Sequence, residues 1–434
     1  VFEEAIWFLV IGALLVLMAV ARGLIARLPL TGAMVYLIAG VALGPAGVGM
    51  LNPDIEGNLR LLRILTEAGL VVSLFAIGMY LRVPLSDRLW ALTLRLVGPA
   101  MIVTIALLYV AAHFGLGLPS SQSLLLAAIL APTDPVLANE LRVKEAGDDE
   151  QLRFALSSEG GSNDGAAYPV VLLGLALCAN PSAHTSMPWT FVASVVWGIV
   201  SALGIGWAFG AGVVILVTKL RTRYEQALGL EGFFALGLMA LSYGCALLAH
   251  GYAFIAVFAA GVALRREELK ATGDMLPTEA LESVERGERE EAAKDPDLAH
   301  AYMAETMMAF AVEFERLVEF ALMLLIGSLV SAHWRALLDW RVIWPVLFLL
   351  FVARPLATTI SLVGSSLDRP QRWLVGWLGI RGVGAFYYLL FSLESAGKDQ
   401  LKAIAPIVLG SIVLSVVLHG ASATTLLKWY FSRK

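Results

Sequence analysis

Apolar runs of about eighteen residues or more recur along the whole sequence, each long enough to cross a hydrocarbon core of roughly 30 Å as a helix. A backbone inside a bilayer must satisfy its own N–H and C=O groups, so a chain built of such runs folds as a bundle of spanning helices. Their repetition excludes a soluble enzyme on a single anchor. The first run, Ala5–Val20, leads into further spans rather than a small-residue cleavage site, which argues against a signal peptide. Charge agrees: 15% of the residues are Asp, Glu, Lys or Arg, against roughly 25% in soluble domains. A formal net charge of −4 excludes a general nucleic-acid footprint. Cys178 and Cys245 lie in apolar stretches and read as core residues, and the histidines are scattered without metal-ligand spacing.

The pattern predicts an all-α polytopic membrane protein of about thirteen helices, near 4–22, 29–48, 61–81, 89–115, 121–141, 151–178, 189–218, 226–248, 251–265, 302–331, 339–363, 372–394 and 402–428. Lys and Arg gather in alternate connections: Arg22 and Arg27, Arg82 and Arg88, Arg142 to Arg153, Lys219 to Arg223, Arg265 to Lys270, Arg369 and Arg372, and Lys428 to Lys434. The connections between these are poor in both, apart from Arg335, Arg341, Lys398 and Lys402. The positive-inside rule then puts the N-terminus outside and the C-terminus in the cytoplasm. One connection, Arg265–Asp297, holds 11 of the 35 acidic residues and 6 basic ones without an apolar period, and reads as a solvated cytoplasmic loop.

Five ionisable residues fall deep in apolar spans: Asp134, Glu159, Asp164, Arg354 and Arg381. Each costs roughly 2.5–3.5 kcal/mol at a helix centre, so such residues mark ion or substrate routes. Three are anionic and two cationic. If both arginines pair, one carboxylate is left to titrate or bind a cation.

Their surroundings suggest which one. In the fifth helix Pro132 and Pro135 flank Thr133 and Asp134. Each proline removes a backbone donor and frees a carbonyl one turn earlier, and an interrupted helix is tolerated at depth only in protein or beside a cavity. Carbonyls, a hydroxyl and a carboxylate are hard oxygen ligands of the kind that suits Na+. A plain proline kink would leave Asp134 unexplained. In the sixth helix, Ser157, Gly160 and Gly161 share a stripe with Asp164; the two glycines, like Pro132 and Pro135, read as helix breakers, and the Asp164 carboxylate leans back over them and leaves room for a cation or water. Close packing of helices is the competing reading of those glycines. Glu159 points to another face. Gly379–Ala385 weakens the twelfth helix around Arg381. A shift of seven helices relates the fifth to the twelfth and reverses the crossing direction, which predicts inverted repeats of six helices with one interruption each.

Four segments in this order resemble the cation–proton antiporter superfamily, in its bacterial electroneutral sodium/proton exchanger branch. They are Ala131–Val136, Glu159–Gly165, Phe351–Pro355 and Gly379–Gly382. The resemblance implies an integral protein of the bacterial inner membrane and a homodimer that meets lipid and shifts an ion-transporting core. That core would be 61–178 with 302–394, and the dimerisation scaffold 1–48, 189–265 and 402–428. It also implies Asp164 as the shared site for proton and cation, Thr133 as a ligand, and Asn163 where electrogenic relatives carry a second Asp. Glu159 would pair with Arg354, and Arg381 would neutralise Asp134. Family members often carry Ser where this chain has Gly160, so an oxygen would come from Ser157, Ser158 or water; the third helix has no acid within Leu74–Arg82.

The function expected is secondary active exchange of Na+ or Li+ for H+, one for one and without a cofactor, by competition at Asp164. A K+/H+ exchanger or an electrogenic relative is the alternative within the class. Outside it stand a channel or a non-transporting sensor, against which no ring-forming repeat of carbonyls or acids is visible. No Ser/His or metal-ligand pair in the spans points to an enzyme.

Overall fold

The structure, a computed structural model, describes all residues except 1, 26–29, 54, 135–149, 180–188, 225–228, 274, 283–291, 297, 398–400 and 433–434. It is helical throughout the described residues. In chain order the long elements are α1 (Phe2–Ile25), α2 (Gly32–Leu43), α3 (Ile55–Tyr80), α4 (Trp90–Gly115), α5 (Ser120–Leu130) and α6 (Gln151–Ala179). Then follow α7 (Trp189–Tyr224), α8 (Glu231–Leu248), α9 (Ala253–Thr272), α10 (Ala299–Leu337) and α11 (Trp340–Ser361). The last are α12a (Arg369–Trp377), α12b (Val383–Ala396) and α13 (Ile404–Phe431). Eight of these are long and apolar enough to cross a membrane. Thirteen crossings result when α12a and α12b are taken as the halves of one, as the apolar pattern predicts.

Two helices swell where proline intrudes. α4 takes a π turn over Leu96–Ala100 around Pro99, and α11 takes one over Leu349–Ala353 just before Pro355. A proline ring collides with the carbonyl one turn earlier, and a widened turn relieves the clash. α4 and α11 are also seven helices apart, so each half carries such a turn, although α4 has a second one, over Ala111–Gly115, without a proline.

The tightest crossings repeat in the same way. Gly40 of α2 faces the Leu324 carbonyl of α10, and Gly327 faces the Leu37 carbonyl; a Cβ on either would lie 2.2 or 2.3 Å from that oxygen. Between α3 and α9, Gly78 faces the Phe258 carbonyl and Gly261 faces that of Phe75, each 2.5 Å from where a Cβ would stand. In both crossings each glycine meets the residue three before its partner glycine. Small residues allow this backbone-to-backbone approach, which dispersion rewards where lipid offers no hydrophobic drive. Swapping the halves exchanges the two crossings, so the repeat is visible in contacts although it is faint in sequence.

Packing divides the chain into two groups. α2, α3, α8, α9 and α10 pack on one another with α7, whereas α4, α5, α6, α11, both parts of α12 and α13 form a bundle. This corrects the expected partition: α3 and α10 belong with the first group and α13 with the bundle. Apolar pattern could not separate them, because both groups are equally apolar. α3 and α12b supply the broadest seam between the groups.

A second correction concerns the charged connection Arg265–Asp297. α9 continues through its first residues to Thr272, and Arg265 and Glu268 are fully buried. Arg82 donates to Glu268 at 3.0 Å and to the carbonyls of Gly273 and Met275 at 2.7 and 2.9 Å, and Arg265 donates to the Met79 carbonyl at 2.7 Å. Arg265 and Glu268 thus lie against the end of α3 instead of facing water, whereas Lys270 and Glu279 further along are exposed.

Candidate functional site

The C-terminal end of α5 meets the break between α12a and α12b. α5 ends at Leu130, four residues before Asp134, and α12a and α12b are separated by Leu378–Gly382. A helix stopped in the middle of a protein leaves orphan carbonyls at its C-terminus and orphan N–H groups at its N-terminus. Each break supplies what the other lacks. Arg381 Nε donates to the Leu130 carbonyl at 2.5 Å, capping α5, and Nη1 donates to the Gly379 carbonyl at 3.0 Å. The Asp134 carboxylate accepts from the Val383 N–H at the start of α12b, and the Asp134 N–H donates to the Ile380 carbonyl at 2.7 Å. A cation at a helix C-terminus and an anion at an N-terminus are both favoured by the helix dipole.

The expected direct neutralisation of Asp134 by Arg381 is therefore replaced by two helix-end contacts. Among the described residues Arg381 hydrogen-bonds through its side chain to backbone carbonyls alone. Its own N–H donates to Ser415 Oγ of α13 at 2.8 Å, and that oxygen lies 2.9 Å from His419 Nδ1.

Glu159 and Arg354 form a two-point ion pair joining α6 to α11, at 2.6 and 2.7 Å, with both side chains 3% exposed. Gly379 permits this approach: a Cβ there would lie 2.6 Å from Arg354 Nε. Four of the five intramembrane charges are thus compensated by a charge or a helix end.

Asp164 is the fifth. It is wholly buried, and neither carboxylate oxygen has a hydrogen-bond partner among the described residues. Asp134 and Arg381 act on it electrostatically with opposite sign, without contact at ion-pair distance. Its neighbour Asn163 donates to Thr133 Oγ1 at 2.7 Å, which ties α6 to the break in the fifth crossing, and Asn163 Oδ1 is without a partner among the described residues. One hydroxyl and three unpartnered carboxylate or amide oxygens thus lie on two adjoining residues of α6 and the segment beside them.

Two expectations about α6 change. Gly160 and Gly161 do not break the helix, which runs unbroken from Gln151 to Ala179 and passes Pro169 as well. Nor does Asp164 overlie a bare patch at Gly161: a Cβ there would lie 2.5 Å from Phe258 and 3.0 Å from Ile77. The bare surface facing the carboxylate is Gly384 of α12b, where a Cβ would lie 2.5 Å from Asp164 Oδ1. Because α6 is unbroken, Ser157 sits two turns away, roughly 10 Å along the axis at 1.5 Å per residue. Hard cations bind oxygens at about 2.4 Å, so Ser157 does not share an ion with Asp164. Ser158 turns toward α4, accepting from Thr93 Oγ1 at 2.7 Å. Pro132 lies just past the end of α5, and Pro135 falls outside the described residues.

Helical spacing missed Gly384 and Tyr388, whose hydroxyl donates to the Asp164 carbonyl at 2.5 Å. The usable signal was their i, i+4 spacing just after the glycine-rich break, which puts both on the face of α12b that follows Arg381.

Comparison with known proteins matches this architecture. The model of the transmembrane sodium/hydrogen exchanger family matches residues 11–429, and describes a transporter rather than a catalytic family. The chain is 25% identical over 440 residues to the K+/H+ antiporter NhaP of Alkalimonas amylolytica, covering 97% of this chain and 66% of the relative. It is 26% identical over 435 residues to the K+/H+ antiporter NhaP2 of Shewanella sp. strain ANA-3, covering 96% and 66%. The chain thus spans just under two thirds of the length of these relatives. A structure of the sodium proton antiporter MjNhaP1 from Methanocaldococcus jannaschii at pH 8 superposes with a TM-score of 0.67 at 18% identity, covering 98% of both chains. An electron-microscopy map of the same antiporter gives 0.69 at 20%, covering 98% and 97%. These two likenesses show a shared fold. With the family model spanning nearly the whole chain, this integral membrane protein belongs to the transmembrane sodium/hydrogen exchanger family.

Proposed function

We propose that the chain is a secondary active antiporter that exchanges Na+ or Li+ for H+, one for one, with both ligands competing for Asp164. The observation that carries this reading is the contrast among the five buried charges. Four are compensated within the protein, and among the described residues Asp164 alone of the five keeps two carboxylate oxygens unsatisfied at zero exposure. Burying such a group is costly unless it is neutralised. A proton or a monovalent cation neutralises it equally well, and the two cannot occupy it together. If only a neutralised site crosses, one ion moves per proton, and no nucleotide or cofactor is needed. Thr133 and Asn163 supply further oxygens.

The resident location proposed is the bacterial inner membrane, with the N-terminus outside, the C-terminus cytoplasmic, and a homodimer in contact with lipid. The bundle of α4–α6 and α11–α13 is the moving part, and α1–α3 with α7–α10 the scaffold. Potassium is the second reading, favoured by the two K+/H+ antiporters whose likeness covers 96–97% of the chain.

The test is purified protein in vesicles with an imposed pH gradient, challenged with Li+, Na+ and K+. Cation-triggered proton movement that ignores membrane potential is expected. Strong dependence on potential would exclude one-for-one exchange, and no response to any of the three would exclude antiport.

Movement of the bundle must break contacts across the α3–α12b seam. Arg63 of α3 bridges Glu67 at 2.6 Å and Glu394 of α12b, and Tyr243 of α8 donates to Glu67. Arg63 and Glu394 are 19% and 36% exposed. A partly exposed pair is worth roughly 0–1 kcal/mol, so Glu394→Gln is expected to change the exchange rate by no more than about fivefold. Complete loss of exchange in that variant would instead place these groups on the ion's route.

A further inference from the structure

We propose that Gly384 sets the size of the cation that Asp164 accepts, an inference that rests on the reading of Asp164 as the ion site. The Asp164 carboxylate lies directly on the backbone of α12b. A Cβ at position 384 would stand 2.5 Å from Oδ1 and 3.0 Å from both Cγ and Oδ2. Contacts under 3.0 Å do not occur for real Cβ atoms, so a side chain here and the present position of the carboxylate are incompatible.

The surrounding packing decides what must yield. α12b cannot lift away from α6 at this level without breaking the hydrogen bond from the Tyr388 hydroxyl to the Asp164 carbonyl, both residues being fully buried. α6 is held on its flank by α9: a Cβ on Gly165 would lie 2.3 Å from Ile255 Cγ1, and one on Gly161 would lie 2.5 Å from Phe258. The helices are therefore held at this level, and the carboxylate is the part free to turn, because among the described residues its oxygens hold no hydrogen bond that turning would break. A methyl group at 384 leaves the fold intact and drives the carboxylate into the space that the bound ion needs. The smallest ions tolerate that loss best. Gly384 is thus a specificity-determining residue: its missing side chain leaves the room by which the larger alkali cations fit beside Asp164.

The test is Gly384→Ala in vesicles, reading the half-maximal concentrations of Li+, Na+ and K+ for proton movement at one pH. One methyl group in a fitted pocket discriminates by about tenfold or more, so the ratio of the K+ to the Li+ value is expected to rise at least about that much over wild type. A ratio cancels any difference in the amount of folded protein. Should Gly384→Ala fail to fold, Ile255→Ala probes the same geometry by removing atoms. It loosens the hold of α9 on α6 at Gly165, so that α6 can turn about the Tyr388 hydrogen bond and carry the Asp164 carboxylate off Gly384, and is expected to shift the ratio toward K+. An unchanged ratio in Gly384→Ala, or in Ile255→Ala where the first variant does not fold, overturns the proposal. Failure of the underlying reading looks different: wild type itself would show no cation-triggered proton movement, or Asp164→Asn would retain it.

Discussion

Asp164→Asn is expected to abolish cation–proton exchange, to the level of protein-free vesicles, while leaving the protein at least as stable as wild type. The two halves of that expectation have one cause. Asp164 is fully buried, with no hydrogen bond to either carboxylate oxygen among the described residues. Ionised, it opposes folding, because burial of an unpaired charge is unfavourable. Asparagine keeps the shape and removes the charge, so the folded state loses a liability. In the proposed mechanism the same substitution removes the group that trades a proton for a cation. Thermal unfolding in detergent measured beside vesicle transport checks both. Transport that persists would exclude Asp164 as the carrier, and a large loss of stability would show that the carboxylate is compensated in the fold.

That one of the three buried carboxylates would be left without a cationic partner was readable before the fold, and the family resemblance, not elimination, points to Asp164 as that one. Glu159 and Arg354 pair as the family resemblance implies. Arg381 and Asp134 do not pair with each other but cap the interrupted helices. Backbone carbonyls and N–H groups have no letter in a sequence, so a buried charge satisfied by a helix end looks unsatisfied on paper. The breaks themselves are legible, because Pro132 and the glycines at 379 and 382 disrupt helices for local reasons.

Contacts between helices are where spacing runs out. Periodicity puts Gly161 beside Asp164 on one helix, yet Phe258 fills that place, and the surface against the carboxylate is Gly384, 220 residues further on. Likewise the spans of α3, α10 and α13 are visible as apolar runs, but which group each joins depends on backbone approach at glycines such as Gly78 and Gly327. Arg265 and Glu268 show the opposite error: a run of charges usually faces water, and here its first members are buried against Arg82 and the end of α3.

The largest stability effect is expected at the pair that takes no ion. Arg354 and Glu159 meet through two contacts, at 2.6 and 2.7 Å, where both are 3% exposed. Removing one partner of such a pair leaves the other charge buried without compensation, at a cost of roughly 3–5 kcal/mol. Glu159→Gln should therefore lower thermal stability sharply, and any residual protein should still exchange ions, since Asp164 is untouched. Arg354→Gln should cost a similar amount. The double variant separates a pair from two unrelated sites: it leaves neither partner as an uncompensated buried charge, so Glu159→Gln with Arg354→Gln should recover much of the stability. Losses that simply add in the double variant would mean that the two side chains are not energetically coupled. A stable single variant would mean that water or another group already compensates Arg354. Either result would undo the elimination that leaves Asp164 as the one carboxylate free to exchange its counter-ion.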